Sequence, residues 1–142
     1  MIFLDTSAIV QPFQSSADPL QVEMTRRSSQ LLRQIATGMV DATTSEAAVA
    51  EAAYVMSGSR FLGQDAREVA ATLAALLSSP RLRFSTKPAC QRALAIWSER
   101  PAIGFVDALT VAYVEQGDLE LASFDRQLLA SAGVTPYWRE TS

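Results

Sequence analysis

The sequence predicts one α/β domain built on a mostly parallel sheet. Short apolar runs of strand length alternate along the chain with longer stretches of helical periodicity. That alternation calls for parallel strands joined by right-handed helical crossovers. A length of 142 residues suits one core, and no linker, repeat or low-complexity tract divides it, so the expected domain spans residues 1–142.

Residues 2–4 are apolar with no polar face, which predicts a strand buried on both faces. Asp5 ends that run, and Thr6 or Ser7 can cap the helix that follows. Residues 8–13 read as a short helix stopping near Pro12. Asp18 is placed as an N-cap and Pro19 at the first helical position before a helix over 20–36, which Gly38 ends. Leu20, Met24, Leu31, Leu32 and Ile35 would form its apolar face. A second strand is expected over 39–43, although Asp41 interrupts its apolar character. Thr43 and Glu46 stand at capping-box spacing ahead of a helix over 47–56 that Gly58 closes.

The second half repeats the alternation. A helix over 65–77 presents Val69, Leu73, Leu76 and Leu77, and Pro80 separates it from a third strand over 82–86. The next helix begins at Pro88 and reaches Trp97 and Glu99. Pro101 and Gly104 divide it from a helix over 105–116. Gly117 and Asp118 turn the chain into a strand over 119–124, followed at once by Asp125. A helical turn over 126–130 and a last strand over 134–137 complete the order.

Composition narrows the chemistry. No apolar run approaches the ~20 residues of a membrane span. Asp5 cuts the first apolar run short and no basic region precedes it, which predicts no secretory leader. Cys90 is the sole cysteine, so no internal disulfide is expected and a reducing cytoplasm is the natural setting. The chain has no histidine, which excludes Ser-His and Cys-His nucleophile pairs, histidine-based ribonuclease acid–base chemistry and histidine-ligated zinc. Hydrolysis would have to rest on carboxylates, hydroxyls, Lys or Arg. A net charge of −3 argues against indiscriminate coating of nucleic acid, yet every basic residue except Lys87 is arginine, the better phosphate fork.

Most acids have plain explanations. Glu23, Asp65, Glu68, Glu99, Glu115 and Glu140 lie among polar neighbours, and Asp18 and Glu46 have capping roles. Four others stand in apolar surroundings. Asp5 and Asp125 each end a strand, while Glu51 and Asp107 lie inside apolar helical stretches. A single such charge usually marks a helix's one wet face. Four together suggest convergence at one end of the sheet, because helix starts pack near the carboxyl ends of parallel strands. Carboxylates at ~4 Å repel by roughly 4 kcal/mol per pair at an effective dielectric of about 20, so convergence requires a cation. All-oxygen ligation selects Mg²⁺ or Mn²⁺, which can activate water against a phosphodiester. Glu46 competes with Glu51, but residues five apart point about 140° away from each other on a helix of ~100° per residue. The apolar setting favours Glu51.

Asp5-Thr6-Ser7, residues 49–55 around Glu51, Phe105-Val106-Asp107-Ala108-Leu109, and Ala122-Ser123-Phe124-Asp125-Arg126 together resemble the PIN-domain nucleases, and within them the VapC-type toxins of toxin–antitoxin pairs. The resemblance covers the full length and implies a three-layer α/β/α fold around a five-stranded, mostly parallel sheet. It implies an endoribonuclease that uses Mg²⁺ or Mn²⁺ in an acidic pocket and leaves a 5′-phosphate and a 3′-hydroxyl. Asp5, Glu51 and Asp107 would be the core carboxylates, with Asp125 at a fourth position acting through water or a second metal. Thr6 and Ser123 fall where supporting hydroxyl residues stand. Ala122-Ser123 replaces a frequent threonine, a departure that touches no acid. A cognate antitoxin and a homodimeric state are further implications.

Arg26, Arg33, Arg100 and Arg126 are candidate contacts to substrate phosphates. Phe13, Trp97 and Trp138 are expected in the core or an interface rather than as base-stacking platforms. Two rival readings are a phospho-acceptor or phosphatase-type domain, for which Asp5 lacks an adjacent second acid, and an inactive PIN-like adaptor. A PIN-like nuclease outside a toxin–antitoxin pair, acting in RNA processing or on DNA, is the nearer alternative.

Overall fold

In the computed structural model, which describes residues 1–138, the strands are far shorter than the apolar runs that specify them. Glu140, expected to be solvated, lies outside the described residues. The order is β1 (Ile2–Phe3), α1 (Thr6–Val10), a 3₁₀ turn (Gln11–Phe13), α2 (Pro19–Ala36), β2 (Ala42–Thr43), α3 (Glu46–Ser57) and α4 (Ala66–Leu77). It continues with α5 (Lys87–Glu99), a 3₁₀ turn (Pro101–Ile103), α6 (Gly104–Gly117), β3 (Glu120–Leu121), α7 (Arg126–Leu129) and β4 (Thr135–Pro136). The α/β class and the alternation agree with expectation.

The sheet departs from it. Strand β1 runs parallel to β2 with Ile2 opposite Ala42 and Phe3 opposite Thr43, and Ala42 also forms a parallel bridge with Leu82. Separately, β3 runs parallel to β4, with Glu120 opposite Thr135 and Leu121 opposite Pro136. All five expected strand segments thus pair in parallel, but the described residues form two ladders instead of one five-stranded sheet between helical layers. The third expected strand is reduced to Leu82 because the chain turns there. Leu82 N–H donates to the Ser79 carbonyl, and the Lys87 ammonium donates to the carbonyls of Ser79 and Leu82 at 2.8 and 2.7 Å. Nor is β1 buried on both faces: Leu4 beyond it is fully buried, yet Phe3 is 58% exposed.

Caps explain where the helices start. Asp18 accepts from Leu20 N–H at 2.9 Å, with Pro19 in the first turn of α2 as expected. Ser45, and not Thr43, caps α3, accepting from Ala48 N–H at 3.1 Å. Asp65 is likewise a cap and not the first residue of α4. The apolar face of α2 is only half used. Ile35 is buried and Leu31 and Leu32 pack on the core, while Leu20 and Met24 are exposed on the N-terminal turns.

The core lies where α1, α3, α4, α5 and α6 meet, and Ile9, Val49, Met56, Leu73, Leu77 and Leu94 are almost wholly removed from water. Trp97 on α5 meets Phe105 on α6 edge-on, with ring centroids 6.1 Å apart. Trp97 is therefore a core residue and Phe13 packs partly against the core, as expected. Trp138 is not: it follows β4, beyond the last ladder pair, and is exposed. No helix among the described residues is long and apolar enough to cross a membrane.

Candidate active site

The strand-end acids occupy the positions their sequence setting implies. Asp5 follows β1 and is the N-cap of α1. Its Oδ2 accepts from both the Ser7 backbone N–H at 3.3 Å and the Ser7 hydroxyl at 2.8 Å. These bonds hold its carboxyl below the usual aspartate range, so it stays ionised and exposed. Asp125 repeats the arrangement at the start of α7, where its Oδ1 accepts from Leu128 N–H at 3.0 Å. Ser123 supports it as expected, its Oγ accepting from Asp125 N–H at 3.0 Å. Capping and ligation are compatible here. Each cap engages one oxygen of a two-oxygen acceptor, leaving Oδ1 of Asp5 and Oδ2 of Asp125 outside those bonds.

Glu51 projects from the middle of α3 on its exposed side and is reached by α1. The Thr6 hydroxyl lies 3.1 Å from Glu51 Oε2 and 3.2 Å from the Ala48 carbonyl. This contact ties the residue after Asp5 to Glu51 across 45 positions of sequence. Glu46 lies on another side of α3, where its Oε2 accepts from the Tyr113 hydroxyl at 2.6 Å. The two glutamates thus have separate partners, as their helical spacing requires, and the one joined to the Asp5 segment is Glu51.

Asp107 is partly buried in the first turn of α6 and lines a cavity of about 250 Å³ with Tyr54, Ser57 and Trp97. Burial, and then the negative charge of Asp125, push its carboxyl above the ordinary aspartate value. A second cavity of about 550 Å³, lined by Glu46, Ser85 and Thr86, shares Ala50 and Val106 with the first. Asp107 and Glu46 therefore look into neighbouring spaces on either side of one apolar ridge.

Thr6, next to Asp5, is bonded to Glu51, and the negative charge of Asp125 acts on Asp107. Among the described residues no three ligating side chains surround a common point. The side chains as they stand do not surround one ion. The donor chemistry nonetheless suits a hard divalent cation: every candidate ligand is a carboxylate oxygen, and the uncompensated repulsion at Asp107 is what a cation relieves.

The basic candidates are scattered. Arg26 is paired with Glu23 at 2.6 Å, and Arg27 with the same carboxylate at 3.1 Å. Arg33 lines an apolar cavity between α2 and α4 together with Ile9 and Phe13. Arg100 ends α5, whereas Arg126 opens α7 directly beside Asp125 and is exposed. Ser7 supports Asp5, as its place two residues on implies, although Asp5 and not Ser7 is the cap. One partner has no local signal. Tyr113 holds Glu46 across 67 positions, and no local pattern announces that contact.

Comparison with known proteins adds one match and one absence. A family model described as the PIN domain matches residues 2–133. No curated protein matches the chain.

Proposed function

The chain belongs to the PIN-domain family, a family of nucleases that are generally metal-dependent, and from that premise we propose that it is a cytoplasmic endoribonuclease acting as the toxin of a toxin–antitoxin pair. The observation that carries the reading is the pairing of a family match over nearly the whole chain with four carboxylates set by β1, α3, α6 and β3. Asp5, Glu51, Asp107 and Asp125 would hold Mg²⁺ or Mn²⁺. The bound ion would supply neutralisation of phosphate charge and a water acidic enough to attack.

The chain's own residues prepare that site. Ser7 keeps Asp5 ionised through two hydrogen bonds to one oxygen and leaves the other for ligation. Thr6 fixes the Glu51 carboxylate against α1. Burial, and then the Asp125 charge, disfavour the ionised form of Asp107, a cost that a cation beside it would relieve. Ser123 and Leu128 N–H orient Asp125 at the end of its loop. With no histidine in the chain, the attacking water and the leaving oxygen must exchange protons with carboxylates or solvent. A cognate antitoxin would restrain the activity, and a homodimer is the expected assembly.

Incubating the protein with a total-RNA pool and Mn²⁺, and mapping the cut ends, tests the reading. The expected result is cleavage to 5′-phosphate products that Asp5→Asn abolishes without loss of fold. Equal cleavage by Asp5→Asn sinks the assignment, and cleavage of DNA alone moves the substrate class. That no three ligating side chains surround one point among the described residues favours one second reading, an adaptor that has lost activity. Titration calorimetry with Mn²⁺ separates the two, since the adaptor would bind none.

A further inference from the structure

Immediately before Asp125 the surface carries an aromatic cluster that the acid site does not use. Phe124 is 88% exposed, and its ring stacks on Trp138 with centroids 4.9 Å apart and 13° between the planes. Tyr137 meets Trp138 edge-on at 5.5 Å, and both of these residues are also exposed. The cluster belongs to the fold. The β3–β4 ladder and a 2.8 Å bond from Tyr137 N–H to the Leu121 carbonyl hold the two segments together. The Ser123 bond and the Asp125 cap hold the Phe124 loop. Apolar rings left in water beside a functional group mark a binding surface more often than a packing accident.

We propose that Phe124 and Trp138 form a stacking platform for an unpaired base of a single-stranded substrate, next to the position that is cut. This inference rests on the nuclease reading above. The chemistry of the patch selects the occupant. A flat aromatic face matches a nucleobase face, and only unpaired, unstacked bases have a face to offer. Adjacent residues are 3.8 Å apart along the chain, so a base on Phe124 lies within a nucleotide's reach of Asp125. Arg126, exposed and without an ion pair among the described residues, stands on the far side of that acid for a neighbouring phosphate.

The chain carries −3 overall, and Arg26, Arg27, Arg81, Arg83 and Arg92 are engaged with Glu23, Asp41 and Glu115. Arg33, Arg60, Arg67, Arg100 and Arg126 have no ion pair among the described residues, and stacking adds to what they supply toward a strand's phosphates. Stacking is tolerant of sequence, and the paired bases of a duplex have no free face to offer it.

The test reads binding without turnover, in the Asp5→Asn protein with Mn²⁺, by fluorescence anisotropy of a labelled mixed-sequence RNA strand. Phe124→Leu and Trp138→Leu keep apolar bulk but remove the π face, and each is expected to weaken binding about tenfold. Phe124→Tyr and Trp138→Phe should stay within about twofold, and a duplex of the same sequence should compete poorly. A DNA strand in parallel shows whether the platform distinguishes the sugar. Weakened binding in both Leu variants, with circular dichroism unchanged, supports the platform even if the parent chain cuts nothing. Unchanged binding in the Leu variants, or no binding by the Asp5→Asn protein, overturns it even if cleavage by the parent chain is robust.

Discussion

The Thr6 hydroxyl lies 3.1 Å from Glu51 Oε2, joining the segment that carries Asp5 to the helix that carries Glu51. The same oxygen is 3.2 Å from the Ala48 carbonyl, so one short side chain bridges α1 to two points on successive turns of α3. Its role is to position another residue's carboxylate. Thr6→Val keeps the shape and deletes the hydroxyl. We expect cleavage to fall by roughly 10–100-fold, the usual effect of losing a partner that orients a ligand. Thr6→Ser should restore most of the rate, and the melting temperature should barely move in either variant.

Asp107 should separate activity from stability. Its folded-state pKa is raised, so the fold disfavours the ionised form and the native protein loses stability as pH rises through the range above the ordinary aspartate value. Asp107→Asn carries no such charge. Its thermal midpoint should match the parent at acidic pH, where the carboxyl is protonated, and exceed it by up to a few degrees at neutral pH. Cleavage should be lost across the whole range. A variant less stable than the parent at neutral pH would contradict the electrostatic account.

The Glu46–Tyr113 bond makes an alkaline prediction. The acceptor Glu46, aided by desolvation, pushes the Tyr113 phenol from 10.0 up to about 12. Because the folded pKa lies above the unfolded one, this stabilisation is complete below the ordinary phenol value and is lost as pH climbs toward the folded one. Ultraviolet titration should show one tyrosine ionising late, and Glu46→Gln should return it toward the ordinary range. Cleavage at neutral pH should change little, since Glu46 has Tyr113 and not the Asp5 segment as its partner.

Cys90 should be chemically silent. It is fully buried on α5, and burial, followed by the nearby Glu46 charge, pushes its thiol up to about 11. The thiolate is the reactive form, and little of it exists at neutral pH. A soluble disulfide reagent should leave the native protein unlabelled and react with one thiol per chain after denaturation. Rapid labelling of the native protein would show that α5 opens far more easily than its packing implies.

How far the sequence could be read depended on how local each feature is. Pro19 after Asp18 located the start of α2 because the cap and the first turn are neighbours in the chain. Asp5 and Asp125 were placed at strand ends by the apolar runs before them. Two acids inside apolar helices were legible as exceptions to periodicity; Thr6 bonds to one of them, and the Asp125 charge acts on the other. Pairing between distant segments was not legible. Whether β1 meets β3 is decided by tertiary contacts, and no residue of the run over 82–86 announces that Lys87 will fold it back on Ser79 and Leu82. For a similar reason Trp138 lies outside the core of the chain. Its size suggests burial, but it falls beyond the last paired residue of β4, where nothing remains to cover it.

The order of elements also sets an order of assembly. Helices α4, α5 and α6 are consecutive and pack on one another through near-neighbour contacts, which close quickly. The first ladder needs partners about 40 residues apart, as in the bond from the Thr44 hydroxyl to the Leu4 carbonyl, 40 positions away. The second ladder needs β4, among the last residues described. A folding chain can therefore form its helical middle first. The segments that carry Asp5 and Asp125 thus join the fold after the helices they flank.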